Sequence, residues 1–227
     1  MLTEKEILGI HQSILYDRDK YVPFPVQHNN KKWRWEGKAL PRIISLMEFR
    51  EYMLEYDRTF NDVLSFNGDS DPEYEYLNYN NRHNYNYDGV NNDLHCFDVK
   101  KKDFDFAMLN DTLEHLYDPI RAVKNIYNHL MFSGMIFACV PVDNRPHGEP
   151  SHFYTGITAT GLGAIMKLSG FDILKLGQWG NSQYFHAESN SRLKGKTWPD
   201  FTYSNDPGLG RNERTHPVQA WCLAIKK

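Results

Sequence analysis

The stretch that decides the fold runs from residue 104 to residue 119: Phe-Asp-Phe-Ala-Met-Leu-Asn-Asp-Thr-Leu-Glu-His-Leu-Tyr-Asp-Pro. Phe104–Leu109 is an apolar run of strand length. Asp118-Pro119 is a helix start, a capping acid followed by a proline in the first turn. Behind it Ile120, Val123, Ile126, Tyr127 and Leu130 recur at helical spacing and make one apolar face.

Working toward the C-terminus, Ser133-Gly134 reads as a turn, and Met135–Val140 is almost wholly apolar. Such a run suits a strand covered on both faces, as in a parallel sheet. A helix is expected over about Ala159 to Ser169, with Leu162, Ile165 and Met166 inward and Gly170 closing it. Phe171–Leu176 and Gln219–Ile225 read as two further strands. With no trusted helical pattern between them, they are expected to pair antiparallel at the sheet edge, leaving residues 180 to 216 as a long excursion.

Toward the N-terminus the order is looser. Thr3 and Glu6 form a capping box ahead of Ile7, Ile10 and Ile14. Ser45 and Glu48 repeat the pattern ahead of Leu46, Phe49, Met53 and Tyr56. A strand is expected at Val63–Phe66, a short helix from Pro72 to Leu77, and weaker strands at Asn84–Tyr87 and Leu94–Phe97. Strands alternating with helices predict an α/β fold with a mainly parallel sheet and helices on both faces. Residues 1–58 are expected to form an N-terminal helical addition on the acceptor side. Residues 59–227 form the main domain.

The composition excludes several classes. A chain of 227 residues buries a substantial core. A net charge of −3 gives no electrostatic pull toward nucleic acid or an anionic membrane. No apolar run approaches the roughly 20 residues of a membrane span, and the first residues do not read as a secretory signal. Cys96, Cys139 and Cys222 are odd in number and widely spaced, as expected of reduced thiols in a cytoplasmic protein. No close Cys/His pairs appear, so no metal site is expected.

In its combined order the segment resembles the class I, Rossmann-like S-adenosylmethionine-dependent methyltransferases. Asp105 in the strand, Leu113-Glu114-His115 and Asp118-Pro119 occupy that family's strand 4 motif. Leu130 to Pro141 is similar to its strand 5 passage. His152, then Thr158 through Gly170-Phe171, is similar to the family's loop, helix and strand after strand 5. Pro217 to Trp221 is similar to the last strand of relatives associated with sugars and cell-surface polysaccharides. The resemblance implies S-adenosyl-L-methionine as cofactor and a small-molecule or glycan hydroxyl as acceptor. A homo-oligomer is compatible with the same reading.

The resemblance also assigns roles. Asn67, Gly68 and Asp69 fall on the cofactor loop after the first strand, where the family's glycines are replaced by Asn67, Asp69 and Asp71. Asp88 is the candidate acid for the ribose, and Asp98 the candidate for the adenine amino group. Asn110 and Asp111 line the cleft end of strand 4. His152 and His115 are the candidate catalytic residues, with His147 and Glu149 as neighbours able to share the task. The acidic group Asp69, Asp71, Glu73 and Glu75 reads as a solvated turn. The altered loop keeps a second reading open, a catalytically inactive methyltransferase-like binding or assembly module. A third is an enzyme of this fold taking another nucleotide-like ligand.

Overall fold

The computed structural model describes residues 1–15, 40–66, 71–88, 91–193 and 212–227. In chain order these form α1 (Glu4–Gln12), β1 (Ile14–Leu15), α2 (Leu40–Tyr56), β2 (Phe60–Ser65), β3 (Tyr79–Asn84), β4 (Phe104–Asn110), α3 (Pro119–His129), β5 (Leu130–Pro141), α4 (Ala159–Leu168), β6 (Phe171–Trp179), α5 (Ser182–Leu193) and β7 (Gln219–Lys226). The seven strands join in the order β1-β6-β7-β5-β4-β2-β3. Pairs among β2, β3, β4 and β5 are parallel, while β7 runs antiparallel to both β5 and β6.

The antiparallel strand is therefore interior and not at the edge. Ala220 to Ala224 are buried without a break, and an unbroken apolar strand needs neighbours on both sides as well as cover on both faces. The excursion before it is not structureless, because α5 occupies Ser182–Leu193. Its start is held by Glu213, which accepts from the Ser182 N–H at 3.0 Å.

Side-chain alternation splits β5 between two cores. Ile136, Ala138 and Val140 face one cluster with α1, α3 and α4. Met135, Phe137 and Cys139 face the other, with Phe49, Tyr52 and Met53 of α2 and Tyr184 of α5. The first two helices thus contribute to opposite faces of the sheet.

The helix caps follow the sequence closely. Thr3 and Glu6 form the capping box, Asp118 accepts from the Arg121 N–H, and Thr158 accepts from the Gly161 N–H. Gly170, at φ 105°, takes the left-handed conformation that closes α4. Other boundaries shift. Helix α2 starts at Leu40, so Ser45 is an interior residue, and its hydroxyl donates back to the Arg42 carbonyl at 2.9 Å. The turn expected at Ser133-Gly134 is an irregularity inside β5, with Ser133 at φ 62°. The third strand lies at Tyr79–Asn84, ahead of the expected Asn84–Tyr87, and Leu94–Phe97 is turn rather than strand. Pro72–Glu75 forms only one tight 3-10 turn.

Candidate active site

The carboxyl ends of β2, β3 and β4 open into a cavity of about 530 Å³, lined by Phe66, Tyr85, Asn86, Asp93, Leu94, His95, Asp111 and His115 among others. Open α/β sheets bind their ligands at this edge. Its walls combine apolar and aromatic faces with a few polar groups, as ligand cavities usually do.

One end of the cavity is organised by an arginine. Arg42, in the first turn of α2, forms a two-pronged ion pair with Glu73, with Nη2 to Oε2 at 2.8 Å and Nη1 to Oε1 closer still. Its Nε lies 3.4 Å from Asp111 Oδ2 and its Nη2 lies 3.8 Å from Asp71 Oδ1. Asp111 also accepts from Gln219 Nε2 at 2.9 Å. Three carboxyl groups surround one guanidinium, and the excess shows at Asp71. Burial, with Glu73 beside it, raises the Asp71 pKa to about 6 against the pull of Arg42 and Asn110. Of the acidic turn expected to be solvated, Glu73 is fully covered and Asp71 nearly so, forming a buried charge network, while Glu75 is exposed and Asp69 lies outside the described residues. The reason is Arg42, which makes burial of the acids tolerable and lies about 30 residues away in sequence.

The opposite wall carries imidazoles. His95 stacks on Tyr117 with ring centroids 3.8 Å apart, and its Nδ1 bonds Asp93 Oδ1 at 2.6 Å. His115 stands on the short turn Leu113–His115 after β4. The loop after β5 is tied to that turn, because the Phe153 and Tyr154 N–H groups both donate to the Glu114 carbonyl, at 2.9 and 3.1 Å. His147 and His152 flank the tight turn Gly148–Ser151, and this brings both against His115. Burial, with His147 and His115 beside it, holds the His152 pKa below its ordinary value. The Glu114 carboxyl is buried next to Asp111, and its pKa is pushed up to about 8.

The residues singled out from the sequence fall into distinct groups. Asp111 and His115 line the cavity, and Asn110 is buried at the end of β4 with its amide on Asp71. Asp88 is exposed and accepts from the Asn91 N–H at 2.6 Å, so its carboxylate caps a turn beside the cavity. Asp98 lies at the other end of the sheet. It pairs with Lys102 and sits 3.9 Å from His129, the residue just before β5 begins. Asn67, Gly68 and Asp69 lie outside the described residues, as do Trp33, Trp35 and Trp198. Trp179 is core, packed edge-on against Tyr184. Asp105 is also structural, for it accepts from the Asn61 and Asp62 N–H groups and fixes β2 beside β4. Sequence reasoning missed Arg42, Asp93 and His95. Asp93-Leu94-His95 would have been visible only as an acid–apolar pair following a strand, and no strand forms there.

Comparison with known proteins gives the same outline. Residues 38–176 match the family model described as "Methyltransferase domain". The chain belongs to this methyltransferase family. Among solved structures, an S-adenosylmethionine-dependent methyltransferase from Clostridium acetobutylicum is similar over 81% of this chain and 91% of that one, at 12% identity and a TM-score of 0.53. Two lower-scoring likenesses are a Haemonchus contortus phosphoethanolamine N-methyltransferase (11% identity, 79% of this chain, 52% of that one, TM-score 0.49) and a Burkholderia thailandensis 1,6-didemethyltoxoflavin-N1-methyltransferase (12%, 85%, 80%, 0.45). No curated protein is significantly similar in sequence.

The chain is an S-adenosylmethionine-dependent methyltransferase, and the cavity residues of this methyltransferase suit that cofactor. Phe66, Tyr85 and Leu94 offer faces for the adenine, and Asp93 an acceptor for its amino group. The cofactor's amino-acid end carries one positive and one negative charge. Arg42 is already paired with Glu73, and the negative charge of Asp111, which lines the cavity, suits the ammonium. Bound, the cofactor supplies a methyl group on a positively charged sulfur.

Proposed function

We propose that this methyltransferase acts on oxygen, transferring its methyl group to a hydroxyl of a small molecule or of a sugar or glycan. The observation that carries the reading is the group of three imidazoles, His115, His147 and His152, beside the cavity. A neutral amine already presents a lone pair, whereas a hydroxyl must give up its proton to become a nucleophile, so activating side chains at the cavity mouth favour an alcohol. In the step itself the acceptor oxygen bonds to the methyl carbon. The carbon–sulfur bond breaks with its electron pair returning to sulfur, and the proton passes to an imidazole. What the fold supplies is alignment of oxygen, carbon and sulfur in a sheltered cleft.

The sugar preference draws support from the rim. Tyr87, Tyr117 and Phe153 line the cavity yet stay exposed, and aromatic faces suit the C–H faces of sugar rings. The test is calorimetric titration with S-adenosylmethionine and S-adenosylhomocysteine, followed by turnover on a panel of glycosides and small alcohols. Cofactor binding with methyl ether formation is expected. Methylation confined to amines would refute the reading. His152→Ala should abolish turnover while leaving cofactor affinity unchanged, and unaltered turnover would remove His152 as the base.

A further inference from the structure

The three histidines at the cavity rim come from two places, one on the turn after β4 and two on the loop after β5. Their candidate ligand atoms all lie within 4.8 Å of one another. The tautomers of two of them are set by backbone carbonyls. His115 Nδ1 lies 2.7 Å from the Ser151 carbonyl, and His147 Nδ1 lies 2.9 Å from the Arg145 carbonyl. Each Nδ1 must carry the hydrogen, which leaves the Nε2 lone pair of both rings free. Metal-binding histidines are held in this way, with one nitrogen anchored to a carbonyl and the other left for the ion. Among the described residues His152 has no hydrogen-bond partner for either nitrogen, although both are shielded from solvent.

A fourth group stands beside them. Glu114 is 1% exposed, neither of its carboxylate oxygens has a hydrogen-bond partner among the described residues, and Oε1 lies 3.9 Å from His115 Nε2. A buried carboxyl without a partner is costly, and a cation beside it removes the cost. Gly148 sits at φ 66°, a left-handed conformation that favours glycine, and a Cβ there would meet the His115 ring at an ordinary contact distance of 3.6 Å.

We propose that His115, His147 and His152 form a binding site for a divalent transition metal ion, with the Glu114 carboxylate beside it. Imidazole donors select zinc, cobalt, nickel or copper over magnesium and calcium, whose preferred ligands are oxygens. Three histidines and a remaining open position are the donor set of catalytic zinc. The nitrogens close to roughly 3.3 Å from one another when bound to an ion at about 2.0–2.1 Å. The ion's open position takes an oxygen, and a coordinated hydroxyl loses its proton near neutral pH. The role of the ion rests on the oxygen-methylation reading above. Its binding does not. With the ion present, the histidines act as ligands and the ion activates the hydroxyl.

The experiment uses the full chain without an affinity tag, stripped with a chelator and titrated with zinc chloride, magnesium chloride and cobalt chloride. One zinc per chain is expected, with no comparable uptake of magnesium, together with the visible absorption of tetrahedral cobalt. His147→Ala and His152→Ala should each weaken zinc by at least about tenfold. His11→Ala, at a ring that bonds Thr160 of α4 and not the cluster, should leave it unchanged. Thermal melting of every variant confirms that it is folded. Absence of stoichiometric zinc, or zinc uptake indifferent to both substitutions, overturns the proposal. Titration of the same stripped sample with S-adenosylmethionine keeps the two readings apart. Cofactor binding and turnover without metal defeat only the ion's role in the reaction, and metal binding without turnover on any alcohol defeats only the oxygen-methylation reading.

Discussion

Replacing Arg42 by methionine tests whether the charge network holds α2 to the cleft. The perturbation removes the guanidinium from Glu73, which is 0% exposed and held by two hydrogen bonds to Arg42. Methionine fills much of the same volume, so the lost packing is small and the main effect is an uncompensated buried carboxylate. Breaking one side of such a pair costs about 3–5 kcal/mol. For a chain of this size each kcal/mol lowers Tm by about 2–4 °C, so the variant should melt about 6–20 °C lower. Urea unfolding followed by tryptophan fluorescence measures the free energy directly. The double variant Arg42→Met/Glu73→Gln removes the stranded charge and should recover most of the loss. A single variant that loses less than about 1 kcal/mol, as a surface ion pair would, refutes the account. So does a double variant no better than the single.

Three further outcomes concern other parts of the molecule. Asp71 has its folded pKa raised from 3.8 to about 6, so the native state is penalised by its charge above that pH and not below 3.8. Asp71→Asn should therefore stabilise the protein above pH 6 by up to about 3 kcal/mol, and the gain should vanish as pH falls toward 4. A gain that is flat with pH would sink the idea. Asp93→Ala should weaken S-adenosylmethionine binding by at least about tenfold, the value of a hydrogen bond to a charged group, while Asp98→Ala leaves it unchanged. Equal affinities for the two variants would show that Asp93 does not face the cofactor. In β6, a methyl group on Gly177 would stand 2.5 Å from Trp221 Nε1, so Gly177→Ala should cost about 1–3 kcal/mol in chemical denaturation. A neutral result would mean that the buried indole has room to move.

The legible parts of the sequence were those governed by neighbours a few residues apart. The stretch from 104 to 119 specified β4, the capped start of α3 and the family, because strand and helix periodicity and capping are local. The same holds for Thr158 and Gly170 at the two ends of α4. Boundaries failed where tertiary contacts overrode a local signal. Ser45 looked like a cap, yet α2 runs through it, since Arg42 in the preceding turn is anchored by Glu73 from another segment.

The sequence by itself therefore determined the α/β alternation, the methyltransferase family and the candidacy of Asn110, Asp111, His115 and His152. Only the tertiary structure decided where β7 lies, because a strand's pairing partners are chosen by cover on both faces and not by its own pattern. It alone turned an acidic turn into a buried network around Arg42, and it alone moved Asp98 away from the cleft while bringing Asp93 into it. The meeting of His115, His147 and His152 is of the same kind. A site assembled from two loops depends on distances across the sheet edge, and no spacing along the chain encodes those.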